Sequence, residues 1–271
     1  MGRASIVTFL SDYGLEDEFV GVCHGVMLTI ARDLKIIDID HNILRQNVRH
    51  GAIVLAQSVL YMPDAVHLAV VDPAVGSARK AVAIESAWGQ VFVGPDNGLL
   101  MPAVEATGGV RRAFELTDKR FQLTPVSRTF HGRDIFAPAA AHVASGVDPS
   151  ELGPELDPAA LVPLQLPVAW VHEDHLHAEV LQVDRFGNLQ LNLRQEQMAE
   201  VGLGPGSQLE VRTEGHRRVM PWALTFSDVP AGSLVVVEDS YRYLSVAINN
   251  GDAAQYLRAR AGSTVIVGPA R

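Results

Sequence analysis

The chain has 271 residues, 48% of them apolar and 20% charged, enough to bury the core of one or two ordinary globular domains. Asp and Glu outnumber Lys and Arg, 31 to 22, for a formal net charge of −9, a balance that speaks against nucleic acid as a partner. One cysteine, Cys23, excludes an intramolecular disulfide and a Cys-rich zinc cluster.

Residues 6–10 (IVTFL) read as a buried strand. Phe19, Val22, Cys23, Val26, Met27, Ile30 and Ala31 then recur at the offsets of one helix face. Residues 34–39 (LKIIDI) are a second strand. Val48, Gly51, Ala52, Leu55, Ala56, Val59 and Leu60 repeat the helical spacing before Pro63, and residues 66–71 (VHLAVV) form a third strand. Strand and helix alternating in this way predict parallel pairing with right-handed crossovers. Further strands are expected at 81–85 and 91–93, and a helix from Asp134 to Gly146. Beyond residue 147 the chain turns proline-rich, as a connecting segment does. It then breaks into the short runs HAEVLQV, NLQLNL, QLEVR, GSLVVVED, YLSVAIN and STVIVG. That texture predicts an antiparallel sheet, sandwich or barrel. The expected fold class is an α/β N-terminal domain, residues 1–165, with a mostly parallel sheet and flanking helices, followed by an all-β domain, residues 166–271.

No run of ~18 apolar residues marks a transmembrane helix. The first residues, MGRASIVTFLSDYG, lack the apolar stretch and small-residue cleavage site of a signal peptide. A cytoplasmic protein with no membrane partner is expected.

In parallel α/β sheets, ligands bind outside the carboxyl ends of the strands. Asp12, Asp40 and Asp72 fall at such ends. Each taken alone is a cap or turn residue by default. Ser11-Asp12-Tyr13-Gly14 and Asp72-Pro73-Ala74-Val75-Gly76 are tight polar turns, which gives the first and third more weight. Arg79 is either a solvated charge or the partner that keeps Asp72 ionised and in place. His131 precedes the expected helix in Thr129-Phe130-His131-Gly132-Arg133-Asp134, where the glycine allows close backbone approach. A lone histidine is more often structural than catalytic. Asp, Arg and His from separate loops are nonetheless the parts needed to position and deprotonate a water.

Gly94-Pro95-Asp96-Asn97-Gly98 reads as a plain turn. Asp184-Arg185-Phe186-Gly187-Asn188 links two β runs; its carboxylate would suit an ammonium and its amide a purine edge. His172, His175 and His177 in VHEDHLHAEV read as a polar strand entry, and no metal site is expected. The chain has no GxGxxG after the first strand, no GxxxxGK[ST], no HExxH and no GxSxG, against common nucleotide folds, zincins and serine hydrolases.

SDYG, VVDPAVG with Arg79 behind it, FVGPDNG, TFHGRDIFAP, DRFGN, FSDVP and YLSVAINNGDAA occur in that order. The set resembles the S-adenosylmethionine hydroxide adenosyltransferases, hydrolytic relatives of fluorinase and chlorinase, over nearly the whole chain. The resemblance implies an N-terminal α/β domain and a C-terminal β-barrel, in a homotrimer with active sites at subunit interfaces. It implies the reaction S-adenosylmethionine + water → adenosine + L-methionine, with no cofactor because S-adenosylmethionine is the substrate. Asp72 and His131 would orient and deprotonate the water, with Arg79 holding the carboxylate. Asp12 would grip the ribose hydroxyls, since a carboxylate can accept from both. Asp17 and Asp184 would lie near the methionine portion, Asp184 at the ammonium. Asn188 would read adenine, Phe226 would stack on it, and Ser240 would lie at the methionine end. Related chains place glycine shortly after that serine, where this one reads Ser240-Tyr241-Arg242-Tyr243.

Three other functions compete. A halide-using relative would make a halogenated adenosine and needs no base. A non-catalytic adenosine or S-adenosylmethionine binder would have no use for the Asp–Arg–His set. A methyltransferase would carry a glycine-rich turn after its first strand, of which SDYG is a poor version.

Overall fold

The computed structural model describes residues 5–270. They fall into two compact units, the first ending at Gln165 and the second beginning at Leu166. The boundary lies in the proline-rich stretch, where the sequence changes texture.

In the first unit the order is β1 (Ile6–Ser11), α1 (Phe19–Ile30), β2 (Lys35–Asp40), α2 (Val48–Val59), β3 (Val66–Val70), β4 (Ala81–Ser86), β5 (Val91–Pro95), α3 (Met101–Ala106), β6 (Val110–Glu115) and α4 (Ala137–Ala144). The sheet runs β2-β1-β3-β5-β4-β6. Its first four strands are parallel, while β4 pairs antiparallel with both neighbours. Residues 87–90 are too short a link for a parallel crossover, so β4 and β5 must form a hairpin.

One face of the sheet carries α1 and α4. There Val20, Cys23 and Met27 pack with Val7, Phe9, Leu68 and the alanines of α4. The opposite face buries Ala52, Leu55 and Val59 of α2 against Leu10, Ala69 and Phe92. Cys23 is fully buried, and burial pushes its thiol up to about 12, so it is an inert packing residue. Phe19 departs from the predicted core stripe. It is 36% exposed and packs instead with Tyr13 and Phe130, at ring-centroid distances of 5.8 and 5.1 Å. The helix expected from Asp134 starts earlier, with a single π-helical turn over Gly132–Phe136 that leads into α4. Such turns recur at functional sites.

The second unit contains β7 (Trp170–His172), β8 (His175–Val183), β9 (Leu189–Leu191), α5 (Gln195–Glu200), β10 (Gln208–Thr213), β11 (His216–Pro221), β12 (Leu234–Glu238), β13 (Leu244–Ile248), α6 (Ala253–Leu257) and β14 (Thr264–Pro269). All the strand pairings are antiparallel, in the order β11-β10-β14-β8-β9-β13-β12 with β7 on β8. Strand β8 serves both halves of the sheet, pairing with β14 and then, past a register shift between Val180 and Gln182, with β9. A bridge between Trp222 and Val236 brings the two sheet ends together into a nearly closed barrel. Its core is Leu176, Val180, Leu191, Leu209, Trp222, Val246 and Val267, all buried. The barrel is not wholly β, because α5 and α6 interrupt it. Among the described residues no helix is long and apolar enough to cross a membrane.

Candidate active site

Adjacent parallel strands β1 and β3 end together, and the Asp12 N–H reaches the Val70 carbonyl at 3.4 Å. Asp12 and Asp72 therefore leave the same edge of the sheet. From β3 the chain turns through Asp72–Gly76 and returns at Arg79. The Arg79 Nε lies 3.0 Å from each oxygen of Asp72, and its Nη2 donates to Asp72 Oδ2 as well. That same Nη2 donates to His131 Nδ1 at 2.8 Å. The guanidinium also sits 5.0 Å from the centre of the Phe136 ring, a cation–π contact. The Asp72 and Arg79 side chains are 5% and 8% exposed, so this pair is held away from bulk water.

A guanidinium has donors only, so Nδ1 of His131 must accept. The neutral ring then carries its hydrogen on Nε2. Burial first, and the Arg79 charge second, hold the His131 imidazole below its ordinary value, against the opposing pull of Asp72 and Asp134. The next acid, Asp134, is 1% exposed and is not free for chemistry. Burial raises its carboxyl, but the Arg133 side chain and the Ser127 N–H outweigh that and bring it below the usual range.

Asp12 and Asp17 line one cavity of about 270 Å³, with Tyr13, Gly14, Asn42 and Arg45. One oxygen of Asp12 accepts from the Gln46 N–H at 2.8 Å, which aims the carboxylate. Tyr13 lines the same cavity. Burial pushes its phenol well above the ordinary range, with Cys23, Asp12 and Asp72 adding to the effect and Arg79 opposing it. A Cβ added at Gly132 would lie 2.0 Å from the Tyr13 hydroxyl. Glycine beside His131 is thus what lets the Tyr13 ring close against the loop.

Sequence reasoning misses two contributors here. Tyr13 belongs to a motif, yet its residue type alone suggests no role of its own. Asn97, in a segment that reads as a plain turn, donates from Nδ2 to the Val71 carbonyl at 2.9 Å and so fastens the residue before Asp72. The only signal for Asn97 is its amide within a turn after a strand.

In the second unit Asp184 organises its own loop. Its Oδ1 accepts from the N–H groups of Phe186 and Asn188 at 2.8 and 2.9 Å, and its Oδ2 from Asn188 Nδ2 at 2.7 Å. Asn188 and Phe226 line a cavity of about 490 Å³ together with Phe186, Ile248, Asn249 and Asn250. Phe186 is 76% exposed and Phe226 44%, an aromatic and amide surface suited to a purine. Phe186 is the aromatic that sequence reasoning overlooks. Ser240 does not join this set. It is exposed in the turn between β12 and β13, where Asp239 accepts from the Tyr241 and Tyr243 N–H groups at 2.8 and 3.0 Å. Arg242 adopts a left-handed φ of 65° in that turn, a conformation that glycine takes without steric cost.

Gly187 has φ 82°, and a Cβ there would lie 2.2 Å from Asp252 Oδ1 and 2.9 Å from Asp252 Cα. Gly187→Ala is expected to cost about 1–3 kcal/mol of stability, measured by urea unfolding.

His172 ends β7 and His175 and His177 open β8, so the three histidines flank a hairpin turn rather than enter one strand. Trp170 stacks on His177 with ring centroids 3.9 Å apart, and His175 Nδ1 pairs with Asp174.

The family model of the SAM hydroxide adenosyltransferase N-terminal domain matches residues 7–153, and that of the C-terminal domain matches residues 178–266. An (R)-S-adenosyl-L-methionine hydrolase from Salinispora tropica is 46% identical over 96% of this chain and 97% of its own length. A fluorinase from an Actinoplanes species is 28% identical over 97% of each chain. The crystal structure of an uncharacterized conserved protein from Thermotoga maritima superimposes with a TM-score of 0.91 at 35% identity, over 96% of this chain and 99% of that one.

Proposed function

This chain belongs to the SAM hydroxide adenosyltransferase family, and from that premise we propose how its own residues carry out the reaction. The protein is an enzyme that hydrolyses S-adenosyl-L-methionine to adenosine and L-methionine. Water oxygen bonds to ribose C5′ while the C5′–S bond breaks and sulfur keeps both electrons. The sulfonium leaves as a neutral thioether, one water proton is released, and no cofactor is required.

The observation that carries the mechanism is Arg79 bridging Asp72 and His131. Because Arg79 occupies Nδ1, His131 offers Nε2–H to the water oxygen and fixes its direction. Asp72 accepts the proton. The oxygen becomes strongly acidic as its bond to C5′ forms, so a carboxylate paired with arginine is base enough. Orientation is the larger part of the task, since the leaving group departs readily.

Asp12 takes the ribose hydroxyls with the oxygen not engaged by Gln46, and Asp17, in the same cavity, faces the methionine portion. Asn188 reads the adenine edge between the Phe186 and Phe226 rings. Asp184 has one of its roughly four lone-pair positions left for an ammonium after the bonds to its own loop. Ser240 serves the methionine end through its loop. The family resemblance sets residues of both units on one substrate by way of a homotrimer with active sites at subunit interfaces, and a cytoplasmic location goes with that reading.

Hydrolysis is favoured over halide transfer because a buried carboxylate beside the attack position repels an anion and has no proton to take from it. Turnover in H₂¹⁸O is expected to place the label in the 5′-hydroxyl of adenosine. In ~0.5 M chloride, where surface charges are screened, adenosine should remain the nucleoside product. A 5′-chloro nucleoside, or unlabelled adenosine, would overturn the assignment.

A further inference from the structure

A second group of chemically competent side chains adjoins the Ser11–Asp12 turn, and one of them, His41, also lines the cavity of Asp12 and Asp17. Helix α1 presents His24, β2 presents Asp38, and His41 follows β2 directly. His24 Nε2 lies 2.9 Å from Asp38 Oδ1, and His41 Nε2 lies 3.0 Å from the same oxygen. One ligand atom from each residue falls within 4.8 Å of the others. We infer that His24, Asp38 and His41 form a binding site for a divalent transition-metal ion of the zinc class.

His24 Nε2 and Asp38 Oδ1 share a hydrogen bond that an ion would replace, and three features support a cation there. First, the His41 side chain is 3% exposed, and its Nε2 makes no hydrogen bond among the described residues even though Asp38 is close. A buried polar atom of that kind calls for a partner. Second, Ser11 Oγ lies 2.7 Å from His41 Nδ1. In the tautomer that donates Nδ1–H to that hydroxyl, Nε2 turns a lone pair toward a carboxylate oxygen, and a cation between the two would relieve the repulsion. An outer-shell partner on the second ring nitrogen is the usual arrangement for a metal-bound histidine. Third, the Asp38 side chain is 44% exposed and His24 27%, so an ion has a way in and water can complete the coordination.

The donor set and spacing suit zinc. Bonds of ~2.0–2.2 Å put tetrahedral ligand atoms roughly 3.3 Å apart, so the two short separations need to open only slightly. Two imidazoles and a carboxylate favour zinc, cobalt or nickel over calcium or magnesium. Phe9 braces the site, with its ring centroid 4.7 Å from that of His41 and 6.4 Å from that of Tyr13. The ion would therefore stiffen α1, β2 and the turn that carries Asp12.

The test is equilibrium dialysis of chelator-stripped, tag-free protein against zinc, with metal content measured by plasma emission. A single zinc per chain is expected. His24→Ala and Asp38→Asn should each lower affinity by more than the ~10–100-fold that outer-shell changes cost. Zinc should raise the Tm of the wild-type protein and not of either variant, while adenosine formation by the metal-free variants stays at the wild-type level. The cobalt derivative of the wild-type protein should show the visible absorption of a four-coordinate ion. Wild-type protein that binds zinc no more tightly than the variants overturns the site. So does a cobalt derivative whose spectrum is that of the aqueous ion.

Discussion

Replacing His131 with alanine is expected to lower kcat for adenosine formation by ~10²–10⁴ while leaving S-adenosylmethionine binding close to that of the wild-type protein. The ring is held at Nδ1 by Arg79 and, in the proposed mechanism, meets the water rather than the ribose or the purine. Its loss therefore removes direction from the attack and not affinity for the substrate. Stopped assays separated by chromatography give the rate, and calorimetry with substrate under single-turnover conditions gives the affinity. A variant with unchanged turnover would end the proposed role and would leave a binding protein as the better description.

The same residue sets the acid limb of the pH profile. Burial and the Arg79 charge depress the imidazole below its ordinary value of about 6.5. It is therefore neutral at pH 7, and lowering the pH must protonate it against a guanidinium that already donates to Nδ1. Protonation puts N–H against N–H and breaks the bridge. kcat/KM is expected to hold as pH falls through 6.5 and to decline only below that value. A decline centred above pH 7 would contradict this.

Arg79→Ala has the largest expected effect of any single change, on both stability and turnover. It leaves the Asp72 carboxylate, 5% exposed, without a counter-charge, and it empties the contact with the Phe136 ring. Breaking a buried pair by removing one partner costs about 3–5 kcal/mol, read as a shift in the urea midpoint at unchanged m. Turnover should fall below that of His131→Ala, because both the acid and the imidazole lose their anchor. Arg79→Lys keeps the charge but not the planar fork that reaches Asp72 and His131 together, and it should recover stability more than rate. Adding Asp72→Asn to Arg79→Ala should restore part of the lost stability, since no charge is then left unpaired, and none of the activity. Restored activity in that double variant would show that the pair is structural only.

Much of the first unit is legible in the sequence because its signals are local. The 3.6-residue spacing in α1 and α2 and the β-branched runs of β1 and β3 announce themselves within a dozen residues. Elements with little periodicity go unseen. Helix α3 spans only Met101–Ala106, and edge strand β11 carries His216, Arg217 and Arg218, whose charges hide its pattern. The antiparallel β4 is readable in principle from the short link of residues 87–90, which no parallel crossover can use. In the second unit the alternating runs locate most strands of the sheet, but not the Trp222–Val236 bridge that brings its ends together, because such a bridge joins residues far apart in the chain.

The candidate site divides in the same way. The residue types and their order along the chain determined the family, and with it the reaction and the names of the residues to examine: Asp12, Asp72, Arg79, His131 and Asn188. Only the tertiary structure decided that one Arg79 nitrogen serves both Asp72 and His131, that Asp184 is largely spent on its own turn, that Asn97 fastens the residue before Asp72, and that Phe186 lines the cavity of Asn188 and Phe226. It alone brought His24, Asp38 and His41 to one point. A sequence specifies which donors and acceptors exist. Hydrogen bonds form over about 3 Å, a distance that only the packing of separate strands and loops can set.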